Sequence, residues 1–199
     1  MSKKIAMAFA CGVCLLAAAP AWADDDYAPG TTPLVIDVGL SAGGDKIATK
    51  THAIGGTDTL YAGDAVFFDL GVQHNFADTD WSAKITGGLD LGLLGASDSD
   101  SAFIRNPLDI LALYNRGNHH IGFGVTEHFG PRLDMRGNGP NVDFSNAMGF
   151  ILQYQYRFFG VRYTNIDYKL SSPCTGSCSI MGTGSVSGSS LGIFFDFVF

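Results

Sequence analysis

The sequence predicts an all-β fold, an eight-stranded antiparallel up-and-down β-barrel that spans a membrane. Eight segments of roughly ten residues alternate between apolar and polar positions, and the connections between them are alternately short and longer. Beyond residue 23 the chain has no uncharged apolar run of the roughly 18 residues that a transmembrane helix needs. Strands in lipid must then close into a barrel, because lipid offers no hydrogen-bond partner to an open sheet edge.

Residues 1–23 have the three-part pattern of a cleaved secretory signal peptide. Lys3 and Lys4 precede an uncharged run over residues 5–19, and Ala21–Ala23 supplies the small-x-small cleavage pattern. The run is shorter than the roughly 18 to 20 residues that a helical membrane anchor requires. We therefore expect export through a secretory route and removal of this segment.

The charge balance excludes one class of partner. The chain has 12 Lys and Arg against 19 Asp and Glu, a formal net charge of −7. A nucleic-acid-binding protein needs a basic surface, so we expect no nucleic-acid partner. The rest of the chain, residues 24–199, is expected to form one barrel domain and to act as a monomer.

The eight predicted strands follow from a two-residue period of apolar side chains. Residues 81–94 are the most regular, with Trp81, Ile85 and Leu89 on one face and polar or glycine residues between them. The fourth strand is irregular because it contains Pro107 and leucines out of phase, so its register stays open. The predicted strands are residues 34–41, 60–74, 81–94, 103–114, 119–129, 144–156, 161–170 and 185–199.

The connections support a barrel over a soluble β-sandwich, which is the alternative for a chain of many short strands. Short turns are predicted at residues 77–80, 115–118 and 157–160. Longer loops alternate with them, which places both termini and all short turns on one side of the membrane. These loops are residues 42–58, 95–102, 130–143 and 171–184.

Six charged residues fall on the strand faces opposite the apolar ones, so they are predicted to point into the barrel: Asp37, Asp69, Lys84, Asp90, Arg162 and Asp196. An eight-stranded barrel has a lumen that side chains fill. We favour a structural network of ion pairs, because buried charges are costly unless they are paired. A proton or ion path through the lumen is the alternative.

The last strand has a wholly apolar face that ends on a phenylalanine: Leu191, Ile193, Phe195, Phe197 and Phe199. This pattern resembles the C-terminal strand of bacterial outer-membrane β-barrels, and the chain after residue 23 resembles the small eight-stranded outer-membrane protein superfamily. The resemblance implies a location in the outer membrane of a Gram-negative bacterium, surrounded by lipid and lipopolysaccharide. It also implies that Phe195, Phe197 and Phe199 form a signal for the outer-membrane assembly machinery.

Two further groups of residues fit this location. Trp81, Tyr114, Tyr154, Tyr156 and Phe159 lie beside the short turns, where an aromatic girdle is expected at a membrane interface. Cys174 and Cys178 predict a small disulfide ring in the last loop, because exported proteins fold in an oxidising compartment. A metal pair is disfavoured because no His or further Cys lies near them in sequence, and we expect no metal or cofactor site.

One short stretch, residues 160–165, is similar to the surroundings of the His-x-Ser-Asn motif of the lipid A deacylases. Arg162 stands where the His would be and Thr164 where the Ser would be. A guanidinium stays protonated and cannot activate a hydroxyl, so the similarity lacks its chemistry. A fallback set of His128, Glu127 and Ser145 has suitable chemical types but no motif.

The functional expectation is a non-enzymatic outer-membrane scaffold with no catalytic residues assigned. Its loops would bind at the cell surface or contact lipopolysaccharide, with Arg132, Arg136 and Lys169 meeting lipid phosphates. The alternative function is a lipid A deacylase-like acyl hydrolase with relocated catalytic residues. A narrow pore is a third candidate, although eight strands leave little lumen.

Overall fold

The computed structural model describes residues 28–51, 57–93, 101–135, 141–171 and 184–199, except for the side chains of Lys50, Thr51 and Leu93. Twelve strands lie in these ranges. They are β1 Leu34–Gly43, β2 Lys46–Thr51, β3 Thr57–Tyr61, β4 Ala65–Asn75, β5 Trp81–Leu93, β6 Ala102–Arg116, β7 His119–Asp134, β8 Val142–Asp143, β9 Ala147–Tyr156, β10 Phe159–Lys169, β11 Ser185–Ser187 and β12 Ser190–Val198.

Eight of these strands form a closed antiparallel barrel, which confirms the predicted fold class. In order around the ring they are β1, β4, β5, β6, β7, β9, β10 and β12, and β12 pairs with both β10 and β1. The seam is fastened at its end where Leu34 and Phe199 exchange two backbone hydrogen bonds of 3.1 and 2.9 Å. Within the described residues, no helix is both long enough and apolar enough to cross a membrane.

The side chains of the barrel strands alternate between a buried inner face and an exposed outer face. In β4, for example, Phe68 is 50% exposed whereas the next residue, Asp69, is 2% exposed. This alternation follows from the two-residue period of a strand. The outer face is apolar over its whole circumference, with exposed residues that include Val38, Leu40, Val66, Phe68, Leu70, Ile85, Leu89, Ile110, Phe123, Val125, Phe150, Leu152, Val161, Leu191 and Ile193.

The structure also settles the register of β6, which the sequence left open. Pro107 faces inward, together with Leu111 and Leu113. These leucines stand opposite Gly124 and Gly122 of β7, where the missing side chains leave room in the lumen. Leucines out of phase with the lipid-facing positions are therefore space-filling residues of the interior.

The three short connections of the barrel are residues 76–80, 117–118 and 157–158, and they share one end of it with both ends of the described chain. We call this the turn end and the opposite end the loop end. The predicted second strand, residues 60–74, is in fact divided at residues 62–64 into β3 and β4. The loop predicted at residues 42–58 contains β2 and the first two residues of β3, and these two strands pair as a hairpin.

This β2–β3 hairpin packs over the loop end of the lumen. Ile47, Ala48 and Leu60 are each at most 1% exposed although they belong to a connection between barrel strands. They join wall residues in one apolar cluster, here called the plug, which comprises Ile47, Ala48, Leu60, Ala62, Phe103, Leu133, Phe144, Ala147, Ile166, Tyr168 and Val186. Burial of so many apolar side chains is a strong driving force for closing this end of the barrel.

Candidate functional site: the charged barrel interior

The middle of the lumen holds an ion-pair cluster, here called the central cluster: Asp37, Asp69, Lys84, Asp109, Arg162 and Asp196. Lys84 Nζ lies 2.8 Å from Asp37 Oδ1 and 3.1 Å from Asp196 Oδ2. Arg162 Nη2 lies 3.1 Å from Asp37 Oδ2, and its Nη1 lies 3.3 Å from Asp69 Oδ2 and 3.2 Å from Asp109 Oδ2. Five of the six inward charges expected from the sequence meet here, and Asp109 joins them.

Arg162 lies against two inward-facing phenylalanine rings. Its Cζ atom is 5.3 Å from the centre of the Phe67 ring and 5.1 Å from that of Phe194, which suits two cation–π contacts. The rings occupy the space beside glycines, Phe67 at Gly39 and Phe194 at Gly160. The glycines therefore create the space that lets two aromatic rings and a guanidinium share a narrow lumen.

Gly39→Ala is expected to destabilise the barrel by about 1 to 3 kcal/mol, because the added Cβ would overlap the Phe67 ring and the backbone oxygen of Ile193. The matched control is Gly87→Ala, whose Cβ would lie no closer than 3.9 Å to the Pro107 oxygen. Urea unfolding in detergent compares the two variants with the parent chain. An equal loss of stability in both variants would show that the space over Gly39 is not what matters.

Two interior charges escaped the sequence reasoning, Arg105 and Asp109, because both lie on the irregular strand β6. Their spacing of four residues places them on one strand face, and this was the signal that could have found them. Arg105 Nη2 lies 3.5 Å from Asp90, so Asp90 belongs to this pair and not to the central cluster. Arg105 also donates hydrogen bonds to the backbone oxygens of Ala62 and Asp64, which ties the connection between β3 and β4 to β6 of the barrel wall.

A cavity of about 30 Å³ lies between the central cluster and the plug. Carboxylates of Asp69, Asp90 and Asp109 line it together with Arg105 and Arg162. On the side of the cavity nearer the plug, the Tyr168 hydroxyl is 2.7 Å from Nδ1 of the buried His128. This space accommodates one or two water molecules but no larger ligand.

The turn end of the lumen is filled by neutral polar side chains. Asn75 Oδ1 accepts hydrogen bonds from Gln73 Nε2 at 2.8 Å and from Ser82 Oγ at 2.7 Å. Asn115 Nδ2 donates to Ser82 Oγ at 2.6 Å, and Asn115 Oδ1 lies 3.0 Å from Nδ1 of His120. The interior is thus layered, with an amide and hydroxyl network below, charges in the middle and the apolar plug above.

The aromatic residues predicted as a girdle lie at the turn end, near the outer surface. Trp81 and Tyr114 have ring centres 5.3 Å apart. Tyr154 donates or accepts a 2.7 Å hydrogen bond with His119, whose ring is 5.1 Å from that of Tyr156. In the last strand Phe195 packs beside Phe159 at 5.6 Å, and Phe199 is 71% exposed.

The residues compared with lipid A deacylases do not form a hydrolytic site in the described structure. Arg162 points into the lumen and is engaged by aspartates. In the fallback set, His128 faces inward, and the adjacent Glu127 therefore projects from the other side of β7. Neighbouring strand residues point in opposite directions, so this histidine and glutamate cannot act on one hydroxyl.

The remaining predictions concern the loop end. Arg132 Nε is 4.0 Å from Asp143 Oδ1, and both side chains are largely exposed. Lys169 is exposed at the end of β10. Arg136, Cys174 and Cys178, and the predicted signal peptide over residues 1–23, lie outside the described residues. In the part of the chain that is described, no group of three His, Cys, Asp or Glu side chains is arranged to hold a metal ion.

Comparisons with known proteins found similarity in structure but not in sequence. No protein-family model matches the chain, and no curated protein matches it in sequence. Among solved structures, the chain is similar to the crystal structure of the outer membrane protein OprG from Pseudomonas aeruginosa. The similarity covers 85% of this chain and 97% of that chain, with 14% sequence identity and a TM-score of 0.42. The fold assignment rests on the closed ring of strand pairs described above.

Proposed function

We propose that this chain is a monomeric barrel of a Gram-negative outer membrane, where it acts as a non-enzymatic scaffold. The apolar outer face around the whole barrel carries the proposal, because a water-soluble protein of this size rarely exposes one large continuous apolar surface. An outward apolar band with aromatic residues at its edge is the pattern of transmembrane β-barrels. Lipid and lipopolysaccharide are then its natural surroundings.

The filled lumen favours a scaffold over a pore. A layered interior of amides, ion pairs and the plug leaves a cavity of about 30 Å³, which is far too small for a continuous water-filled channel. The surfaces left for recognition are the loops at the loop end. We retain contact with lipopolysaccharide phosphates as part of the proposal, although Arg132 would have to exchange its exposed partner Asp143 for the phosphate.

We also propose that Phe195, Phe197 and Phe199 are read by the outer-membrane assembly machinery. Phe199 supports this role because its side chain is exposed while its backbone closes the barrel seam with Leu34. A ring at this place is accessible to a partner.

The location is tested by expressing the full-length chain in a Gram-negative host and separating the membranes by density. We expect the protein in the outer-membrane fraction after an alkaline wash, with the loop end accessible to protease on intact cells. Recovery in a soluble fraction would contradict the membrane proposal. Lipid A from the same cells is examined by mass spectrometry, and a lost acyl chain would contradict the non-enzymatic part and favour the acyl hydrolase.

A further inference from the structure

The central cluster contains more acidic than basic side chains. Among the described residues, Asp37, Asp69, Asp109 and Asp196 form ion pairs with Lys84 and Arg162 alone, and no side chain among the six is more than 7% exposed. Asp90 and Arg105 form a separate neutral pair beside the cavity. If all four aspartates were ionised, the closed lumen would hold two uncompensated negative charges. Burial of an unpaired charge costs several kcal/mol, so the lumen needs compensating positive charge.

The backbone register brings three of these carboxylates into one row. Asp196 and Asp69 stand directly opposite Asp37 on its two neighbouring strands. Like charges directly opposite each other destabilise a sheet. Asp37 is bound by both Lys84 and Arg162, whereas the other two members of the row each have a single cationic partner. Asp37 is therefore the carboxylate of this row whose ionised form is most stabilised by cations.

The hydrogen bonds place the surplus charge on the other three aspartates. Asp69 Oδ1, Asp109 Oδ1 and Asp196 Oδ1 are buried and accept no hydrogen bond from the described residues. Asp69 and Asp109 also share one nitrogen, Nη1 of Arg162. A buried carboxylate oxygen with neither a donor nor a counter-charge is costly, whereas a protonated oxygen becomes a neutral donor.

A bound metal ion does not fit as the source of this charge. The described residues contain no group of three side chains arranged as metal ligands, and the space between Asp69 and Asp109 is taken by the guanidinium of Arg162. The cavity beside these two aspartates has room for water, which gives an acid O–H a hydrogen-bond partner.

We propose that the barrel folds with two protons bound in the central cluster. One is held by Asp196, directly opposite the ionised Asp37, and the other is held by either Asp69 or Asp109. Folding takes both protons from solution, since the four aspartates of the unfolded chain are ionised at neutral pH. The ionisable groups that face these carboxylates or their cavity are Lys84, Asp90, Arg105, His128, Arg162 and Tyr168.

The two bound protons determine whether the stability of the barrel rises or falls with pH. Unfolding releases two protons, so the unfolding equilibrium constant rises about 100-fold for each unit increase in pH while the folded barrel holds both protons. The barrel is thus more stable in acid than in alkali over this range. Measurement above about pH 7.5 keeps the contribution of histidines in the unfolded chain small, because that range lies above their reference pKa.

The test follows urea unfolding of the full-length chain in detergent micelles at several pH values above about 7.5. Asp196→Asn and Asp69→Asn each replace a carboxyl group that can hold a bound proton with a neutral amide group of the same shape. In each single variant the unfolding equilibrium constant is expected to rise only about 10-fold per pH unit. In the double variant it is expected not to change with pH. Asp167→Asn, at an exposed outward position of β10, is the matched control and should keep the parent dependence.

Several outcomes would overturn the proposal. They are a parent stability that does not vary with pH, single variants that keep the full dependence, and a stability that follows sodium concentration in place of pH. Infrared spectra of the folded parent chain give an independent readout if a variant fails to fold. We expect the C=O band of protonated carboxyl groups in the folded barrel, and its absence would also count against bound protons.

Discussion

Replacing Arg162 with alanine is expected to prevent the barrel from folding, or to destabilise it by about 3 to 5 kcal/mol where it still folds. The guanidinium contacts Asp37, Asp69 and Asp109, and for Asp69 and Asp109 it is the one ion-pair partner among the described residues. Its removal leaves buried carboxylates without a partner and opens a void between the rings of Phe67 and Phe194. Few single changes combine both losses.

Two further variants separate charge from geometry. Arg162→Lys keeps the positive charge, but one ammonium cannot reproduce a planar fork that reaches three carboxylates, so an intermediate loss is expected. Arg132→Ala removes an arginine whose side chain is 50% exposed, and stability should change little. Unfolding midpoints in urea are compared in one detergent. If Arg162→Ala unfolded at the same urea concentration as Arg132→Ala, the central cluster would have no structural role.

Replacing Leu152 with arginine is expected to reduce insertion into a bilayer by about 2 to 4 kcal/mol, the cost of a basic residue at the middle of a barrel's lipid face. Leu152 is 53% exposed and lies near the middle of β9, with apolar neighbours on the same face at Phe150 and, across the pair with β7, at Phe123. The same change on a water-soluble barrel would be harmless, because it would place a charge in water.

The control for this variant is Ser145→Arg, an exposed position at the loop end, outside the apolar band. Both proteins are refolded into phospholipid vesicles, and the inserted fraction is measured by flotation. We expect a large loss for Leu152→Arg and a small one for Ser145→Arg. Equal insertion of both variants would mean that this face does not contact hydrocarbon, and the membrane location would have to be abandoned.

Much of the barrel could be predicted from local patterns. Eight strands, their inner and outer faces and the positions of the short turns follow from a two-residue period that any ten-residue segment displays on its own. Asp37, Lys84 and Arg162 were placed inward by this period alone. The pattern failed at β6. There Leu111 and Leu113 point inward because they fill the space left by the glycines opposite them on β7.

The plug was also beyond local pattern analysis. Residues 42–58 read as a polar, glycine-rich connection and Leu60 as the start of the second strand. The burial of Ile47 and Leu60 depends on wall residues such as Phe103 and Tyr168 far along the chain. The role of Arg105 also depends on distant contacts, since it holds the connection between β3 and β4 through the backbone oxygens of Ala62 and Asp64, which carry no sequence signature.

The amino-acid sequence by itself determined the class of fold, the direction of each regular strand face and six of the charges that would point inward, because each of these depends on neighbours a few residues away. Only the tertiary structure decided which charges meet. Lys84 reaches Asp196 across 112 residues, and Arg162 reaches Asp37 across 125. Such contacts depend on barrel closure and strand register, which bring distant residues together at one level of the lumen.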